Sequence, residues 1–98
     1  MRPLPKPLSV LEIARLVGGT TEGDANQLIA NVSEVVGAGP NDVASFHNMK
    51  YAAAAAVSKA GCLLVPAQVK DVACAAKAKV LVANPQAAFS LLDRFITD

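Results

Sequence analysis

Residues 42–51 hold the side chains of this chain that are best suited to molecular recognition. Phe46 and Tyr51 offer two aromatic faces, between which a flat heterocycle can stack as bases do in nucleic-acid modules. Asn48 offers a donor and an acceptor in one carboxamide, which suits the edge of a uracil or a similar ring. Lys50 carries an ammonium that can steer or meet a phosphate. This segment is therefore the candidate binding site in the sequence.

Each of these residues also has a simpler structural interpretation, which the sequence alone leaves open. Tyr51 can pack its ring at the start of a helix and expose its hydroxyl, and Phe46 can belong to the core. Asn48 can cap the helix that begins here, and Lys50 can be a solvated surface lysine. His47 has no nucleophile or carboxylate at a suggestive spacing, so we interpret it as a loop histidine.

The composition indicates one folded domain and argues against several classes of function. Of its 98 residues, 53% are hydrophobic and 17% are charged, which favours a folded body over disorder. The net charge of +1, without a dense lysine patch, gives no reason to expect nucleic-acid binding. The longest uncharged stretch, around residues 51–58, falls well short of the roughly 20 residues that cross a bilayer.

The two ends of the chain suggest how it is organised. Residues 1–8 are predicted to form a flexible lead-in, because three prolines stand where a signal peptide has its apolar core. We therefore expect a cytoplasmic protein, with residues 9–98 as a single α/β domain. The last helix runs to polar Thr97 and Asp98 without a capping glycine, so we expect further sequence to follow and to carry other functions.

The cysteines and the single histidine predict neither a metal site nor a cofactor. Cys62 and Cys74 are too far apart for a CxxC redox or zinc motif, and one histidine does not complete a metal site. We interpret both cysteines as small buried hydrophobic residues in a reducing compartment.

The first half of the chain predicts one helix followed by short strands. Ser9 and Glu12 form a capping-box pattern, and the apolar positions after Ser9 recur with helical spacing until Gly18-Gly19. Residues 20–22 and 28–33 are β-leaning runs divided by a turn sequence, so we expect a hairpin or two adjacent strands. Residues 43–46 are predicted to form a short strand, and residues 51–57 a helix.

The second half predicts a parallel β-α-β unit. Residues 62–65 and 80–83 are continuous apolar runs typical of buried strands, with a helical pattern between them. Such strands are joined by a right-handed crossover. Asn84-Pro85 provides a cap and a first-turn proline for the last helix. Two helical faces are predicted to point to the core: Val69, Val72, Ala73 and Ala76 before the second strand, and Ala88, Leu91, Leu92 and Phe95 after it. The predicted fold is a small α/β sandwich, whose mixed, partly parallel sheet is flanked by helices.

These pieces resemble the N-terminal domain of the UDP-3-O-acylglucosamine N-acyltransferases of lipid A biosynthesis. The resemblance covers nearly the whole chain, and two of its motifs are specific. One is Asn48-x-Lys50-Tyr51 after a strand. The other is an apolar strand that enters Asn84-Pro85 and is followed by a helix containing Phe89.

The resemblance implies an α/β module that holds the uridine of a UDP-sugar and is broadly similar to the first domain of Mur ligases. In that family a β-helix of hexapeptide repeats follows, forms trimers, and carries the catalytic histidine and the contacts to acyl carrier protein. The enzyme moves a 3-hydroxyacyl group from acyl carrier protein to the glucosamine 2-amino group. The repeats are absent from these 98 residues, so the resemblance implies a binding module without catalytic residues of its own.

The resemblance also implies a uridine site made of Phe46, Asn48 and Tyr51, with Lys50 facing the diphosphate. Asn48 and Tyr51 fall on the family's positions, whereas Ser45 falls where the family has its stacking phenylalanine. Phe46 comes one residue later and would point to the opposite face of a regular strand. A β-bulge near Ala44 or Ser45 would turn the ring of Phe46 back toward the site.

Two other functions remain open from the sequence. The chain can be a structural or interaction domain without nucleotide binding, in which Ser45 marks a pocket that no longer stacks a base. It can also be the first domain of a peptidoglycan-precursor ligase, a class that handles UDP-sugars. The sequence after Asp98 would separate these, since the ligase would continue into a P-loop domain.

Overall fold

The described strands and helices build a six-stranded sheet with helices on both faces. The computed structural model describes residues 2–46, 49–67 and 76–97. The strands are β1 (Arg2–Ser9), β2 (Thr20–Gly23), β3 (Leu28–Val32), β4 (Asp42–Ser45), β5 (Cys62–Pro66) and β6 (Ala78–Val82). The helices are α1 (Val10–Val17), α2 (Ala52–Val57), which follows a 3-10 turn over Met49–Tyr51, and α3 (Pro85–Thr97).

The sheet has the strand order β1-β3-β4-β5-β6-β2. The four inner strands are parallel, and an antiparallel strand lies at each edge. The mixed sheet predicted from the sequence is confirmed, as is the parallel pairing of the apolar strands β5 and β6. The helix predicted between those two strands, including Cys74, lies outside the described residues.

Alternation along the inner strands divides the core into two layers. In β5, Cys62 and Leu64 face one layer while Leu63 and Val65 face the other, because successive strand residues point to opposite sides. The first layer packs against α1 and α3, and the second against α2. No helix among the described elements has both the length and the apolar character needed to cross a membrane.

Residues 2–9 form strand β1, where the sequence predicts a flexible lead-in over residues 1–8. This correction has a physical reason in the alternation of the segment: Leu4 and Leu8 are buried in the first core layer, and the prolines between and beside them are exposed. A proline lacks the N–H of a strand ladder and is tolerated at a sheet edge. The register to β3 is irregular between Pro3 and Leu8, where the prolines fall.

Strands β2 and β3 are present as predicted, but they are not neighbours, which corrects the expected hairpin or adjacent pair. β2 pairs with β6 at one edge of the sheet, and β3 lies between β1 and β4 near the other. Gly19 allows this path, because a Cβ there would lie 2.8 Å from the carbonyl oxygen of Leu81 in β6. The intervening turn sequence thus leads across the sheet instead of folding back.

The last helix begins where the sequence predicts. The side chain of Asn84 accepts a hydrogen bond from the backbone of Ala87 at 3.2 Å, which caps α3 at Pro85. Ala88 and Leu92 are buried as expected, whereas Leu91 is 41% exposed and does not belong to the core face. The side chain of Phe95 lies outside the described residues.

The predicted capping box at the start of α1 is present. The Ser9 hydroxyl accepts from the Glu12 backbone at 3.1 Å, and the Glu12 carboxylate accepts from the Ser9 backbone at 3.0 Å. The latter bond, together with the Ser9 hydroxyl and nearby cations, lowers the pKa of Glu12. The carboxylate therefore favours the folded state at neutral pH, and this contribution is lost as the pH falls through the lowered pKa.

We expect Ser9→Ala to lower the free energy of unfolding by about 1 kcal/mol, because an N-cap side chain is removed. Urea denaturation at neutral pH measures the change. Ser9→Thr keeps the hydroxyl and is the control. Equal destabilisation by both variants would show that the cap bond is not the cause.

Candidate functional site

A pocket of about 240 Å³ opens at the carboxyl ends of strands β3 and β4. We call it the Tyr51 pocket, and it is lined by Ser33, Glu34, Val35, Val36, Ser45, Tyr51 and Phe89. Open α/β sheets commonly bind ligands in the crevice outside the carboxyl ends of their parallel strands. Its volume lies slightly below the roughly 300–1,000 Å³ that is typical of small-molecule sites.

Hydrogen bonds hold the walls of the pocket in place. β3 and β4 are parallel, and the Ser33 backbone N–H donates to the carbonyl of Val43 at 2.9 Å, which fixes the start of the loop after β3. The Ser45 hydroxyl lies 3.4 Å from the carbonyl oxygen of Pro85 and donates to it. This contact ties the end of β4 to the first turn of α3. The pocket is thus supported on the sheet and on a helix.

Tyr51 lines this pocket, and Lys50 lies next to it. The Tyr51 side chain is 38% exposed and makes no capping hydrogen bond to α2. The Lys50 ammonium lies 5.1 Å from the centre of that ring, within the range of a cation–π contact. The structure therefore places an ammonium against the Tyr51 ring, while the ligand-binding roles of Tyr51 and Lys50 stay predictions.

Phe46 does not lie at this pocket, which corrects its predicted stacking role. Its ring is 1% exposed and packs in the second core layer beside Ala55 of α2 and Val65 of β5. A ring buried in this way offers no face to a ligand from solvent.

The physical reason is the regular register of β4. Its residues pair one by one with β5 as far as Ser45, and the Phe46 backbone N–H continues the ladder to Leu64 at 2.8 Å. There is no β-bulge between Ser45 and Phe46 to reverse the alternation. Ser45 therefore points to the pocket side, and Phe46 points to the layer under α2.

Asn48 and His47 lie outside the described residues. The role of Asn48 in reading the edge of a base stays a prediction. In the structure, the N-cap of α2 is Tyr51, after a 3-10 turn that begins at Met49.

Sequence reasoning did not assign Phe89 and Glu34 to a site. A signal for Phe89 exists: Asn84-Pro85 fixes the start of α3, so Phe89 lies just past the first turn of a helix that begins beyond the carboxyl end of β6. Parallel neighbours bring that end to the same edge of the sheet as Ser45. No feature of the sequence indicates that Glu34 lines the pocket, because its position depends on the path of an irregular loop.

The residues that line the Tyr51 pocket define the chemistry that it offers. It combines aromatic rings, serine hydroxyls and one carboxylate. Within the ranges that the structure describes, no three His, Cys, Asp or Glu side chains come together in a way that could hold a metal ion. The arrangement can hold a flat ring against Tyr51 and hydrogen-bond a polar substituent.

Comparisons with known proteins agree with the predicted resemblance. Residues 26–94 match the family model described as UDP-3-O-(3-hydroxymyristoyl) glucosamine N-acyltransferase, LpxD. A UDP-3-O-acylglucosamine N-acyltransferase of Myxococcus xanthus (strain DK1622) is 36% identical over 88 residues, which is 90% of this chain and 25% of the relative. An enzyme of the same name from Anaeromyxobacter sp. (strain Fw109-5) is 39% identical over 57 residues, 58% of this chain and 16% of the relative.

The two alignments cover a quarter or less of the length of these relatives. The family match, in contrast, covers more than half of this chain and includes β3 to β6, most of α3 and every residue of the Tyr51 pocket. The chain therefore belongs to the UDP-3-O-(3-hydroxymyristoyl) glucosamine N-acyltransferase family.

Proposed function

We propose that this chain binds the uridine part of a UDP-sugar in the Tyr51 pocket. The observation that carries the proposal is the half-exposed Tyr51 ring, which lines a pocket at the carboxyl ends of parallel strands and has the Lys50 ammonium beside it. A base stacks on such a ring, and stacking contributes about 1–3 kcal/mol per base. The family membership of the chain supports the choice of a UDP-sugar as ligand.

The second aromatic wall of the pocket is Phe89 of α3, not Phe46. Phe89 is partly buried against the first core layer and still lines the pocket, so its ring is anchored on one side and faces the ligand space on the other. Ser45, with its small side chain, leaves room in front of this ring. In this proposal Phe89 takes the place of Phe46, so that Tyr51 and Phe89 form the apolar surface on which the base stacks.

Residues close to Tyr51 in the sequence contact the polar part of the ligand. Lys50 faces the diphosphate, because an ammonium attracts phosphate and this one lies beside the ring on which the base stacks. Asn48 reads the edge of the uracil through its carboxamide. The site needs no metal or cofactor for these contacts.

For the whole protein we propose an acyltransferase of lipid A biosynthesis. A domain of hexapeptide repeats beyond this chain would bind acyl carrier protein, form trimers and transfer the 3-hydroxyacyl group to the glucosamine amine. The present chain would hold the uridine end of that substrate and take no part in the chemistry. We further propose a cytoplasmic location and a likeness of this domain to the first domain of Mur ligases.

A titration of the 98-residue chain with UDP tests the proposal. Stacking on two faces and one amide hydrogen bond are together consistent with high-micromolar to millimolar binding once the cost of association is subtracted. We expect amide NMR shifts at Ser33, Glu34, Tyr51 and Phe89, and none at Gly23 on the far edge strand. An unchanged spectrum at several millimolar UDP would refute the proposal.

We expect Tyr51→Ala to weaken UDP binding about tenfold, because a stacking face is lost. Lys50→Ala is expected to weaken it only about two- to threefold, because an exposed ammonium contributes little in salt. Isothermal titration or NMR measures both affinities, with Tyr51→Phe as the control that keeps the ring. A larger effect of Lys50→Ala than of Tyr51→Ala would contradict the assignment of Tyr51 as the stacking ring.

A second candidate function is an α/β domain that binds no nucleotide. It is favoured by the burial of Phe46 in the core and by Ser45, which the resemblance places where the family has its stacking phenylalanine. In that case the domain serves as a spacer or docking unit beside the rest of the protein. The UDP titration decides between the two, since this candidate requires the spectrum to stay unchanged.

A further inference from the structure

Glu34 is the charged residue that lines the Tyr51 pocket. It lies two residues beyond the end of β3, between Ser33, whose backbone is bonded to β4, and Val35, which is buried in the second core layer. Both neighbours are thus held by the fold. Glu34 itself is exposed and lines the pocket, so its carboxylate is accessible from solvent on a stretch of backbone that the fold holds in place.

An ionised carboxylate accepts hydrogen bonds and donates none. Phosphate oxygens repel it, which directs the diphosphate of a nucleotide away from Glu34 and toward Lys50. The ribose of a nucleotide lies between its base and its phosphates and carries two adjacent hydroxyl donors. Two carboxylate oxygens match such a pair of hydroxyls, as in dinucleotide sites where an acidic residue binds the ribose 2′-hydroxyl.

We propose that Glu34 accepts hydrogen bonds from the ribose hydroxyls and so makes the pocket select ribonucleotides over 2′-deoxyribonucleotides. This inference rests on the proposed uridine-binding function and adds the sugar to it. With the base on Tyr51 and the diphosphate toward Lys50, the ribose is the donor-bearing group between them, and Glu34 is the charged acceptor of the pocket wall.

The test compares UDP with 2′-deoxy-UDP on the 98-residue chain and on its Glu34→Ala variant. For the unaltered chain we expect UDP to bind about five- to tenfold more tightly, which is the worth of a hydrogen bond to a charged group at a partly exposed site. In Glu34→Ala this preference should vanish, so that UDP and 2′-deoxy-UDP bind with equal affinity. The affinity for 2′-deoxy-UDP should fall less than that for UDP, because only its 3′-hydroxyl loses a partner.

Glu22→Ala is the matched control, because Glu22 is an exposed glutamate on the far edge strand β2, where it pairs with Lys79 at 3.6 Å. This variant should keep the full preference for UDP. Equal binding of the two nucleotides by the unaltered chain would overturn the inference while leaving the proposed function intact. A preference that survives in Glu34→Ala, or an equal loss of both affinities, would overturn it too. Failure of both nucleotides to bind would instead overturn the proposed function, and this inference with it.

Discussion

We expect Phe46→Ala to lower the free energy of unfolding by about 3–5 kcal/mol, because it empties a large buried site. Phe46 is among the largest side chains that the fold buries completely. Its neighbours in the second core layer include Ala44, Ala55 and Ala60, which have little volume with which to close a cavity. Urea denaturation followed by circular dichroism measures the change.

A conservative substitution of Phe46 distinguishes a role in the core from a role in stacking on the base. Phe46→Leu keeps most of the apolar volume, and we expect it to cost about 1 kcal/mol in stability. Because the Phe46 ring does not reach the Tyr51 pocket, this variant should bind UDP as tightly as the unaltered chain. A loss of UDP affinity in Phe46→Leu, comparable to that in Tyr51→Ala, would show that Phe46 stacks on the base after all.

We expect Gly61→Ala to lower the free energy of unfolding by about 3 kcal/mol, because the added methyl group has no room. A Cβ at Gly61 would overlap the carbonyl oxygen of Pro40 and would lie 2.9 Å from the Cδ1 of Ile29. The Gly61 backbone N–H also donates to the carbonyls of Gly39 and Asp42, at 3.1 and 3.0 Å. The chain therefore cannot move away without losing the contacts that join β4 to β5.

Gly39→Ala is the matched control for this experiment. The nearest atom to a Cβ at Gly39 is an Asp42 carboxylate oxygen at 3.6 Å, an ordinary contact distance. This variant should be neutral or slightly stabilising, because alanine has less freedom than glycine in the unfolded chain. Comparable destabilisation by the two variants in urea would contradict the steric explanation for Gly61.

Much of the fold could be predicted from the sequence because local signals agree with the tertiary structure. The apolar runs of β5 and β6, bounded by glycine and proline, are confirmed as parallel buried strands. The capping box at Ser9 is confirmed as well. The pairing of strands that are distant in sequence was harder to predict. No local feature of Thr20–Gly23 indicates that this strand pairs with β6 and not with β3. The prolines of β1 likewise gave a local signal for a flexible segment, which edge pairing overrides.

Residue type was enough to single out Tyr51, which lines the candidate pocket, but the direction of a neighbouring side chain was harder to predict. Lys50 is next to Tyr51 in the sequence, and its ammonium lies 5.1 Å from the centre of the Tyr51 ring. The stacking role predicted for Phe46 is wrong because a shift of one residue along a regular strand turns the side chain to the opposite face of the sheet. The sequence contains no sign of a bulge that would turn it back. Glu34 and Phe89 reach the pocket through the loop after β3 and through α3, and only the folded chain shows that these meet.

The two edge strands, β1 and β2, determine whether this sheet can pair with a strand of another molecule. β1 carries three prolines, which lack the N–H groups that an incoming strand would pair with, and β2 is four residues long with a charged Glu22. Both features are ways in which natural sheets avoid edge-to-edge aggregation. The four apolar parallel strands between them are therefore shielded from β-type self-association. Such shielding would keep the Tyr51 pocket accessible at high protein concentration, because the chains would not stack into fibrils.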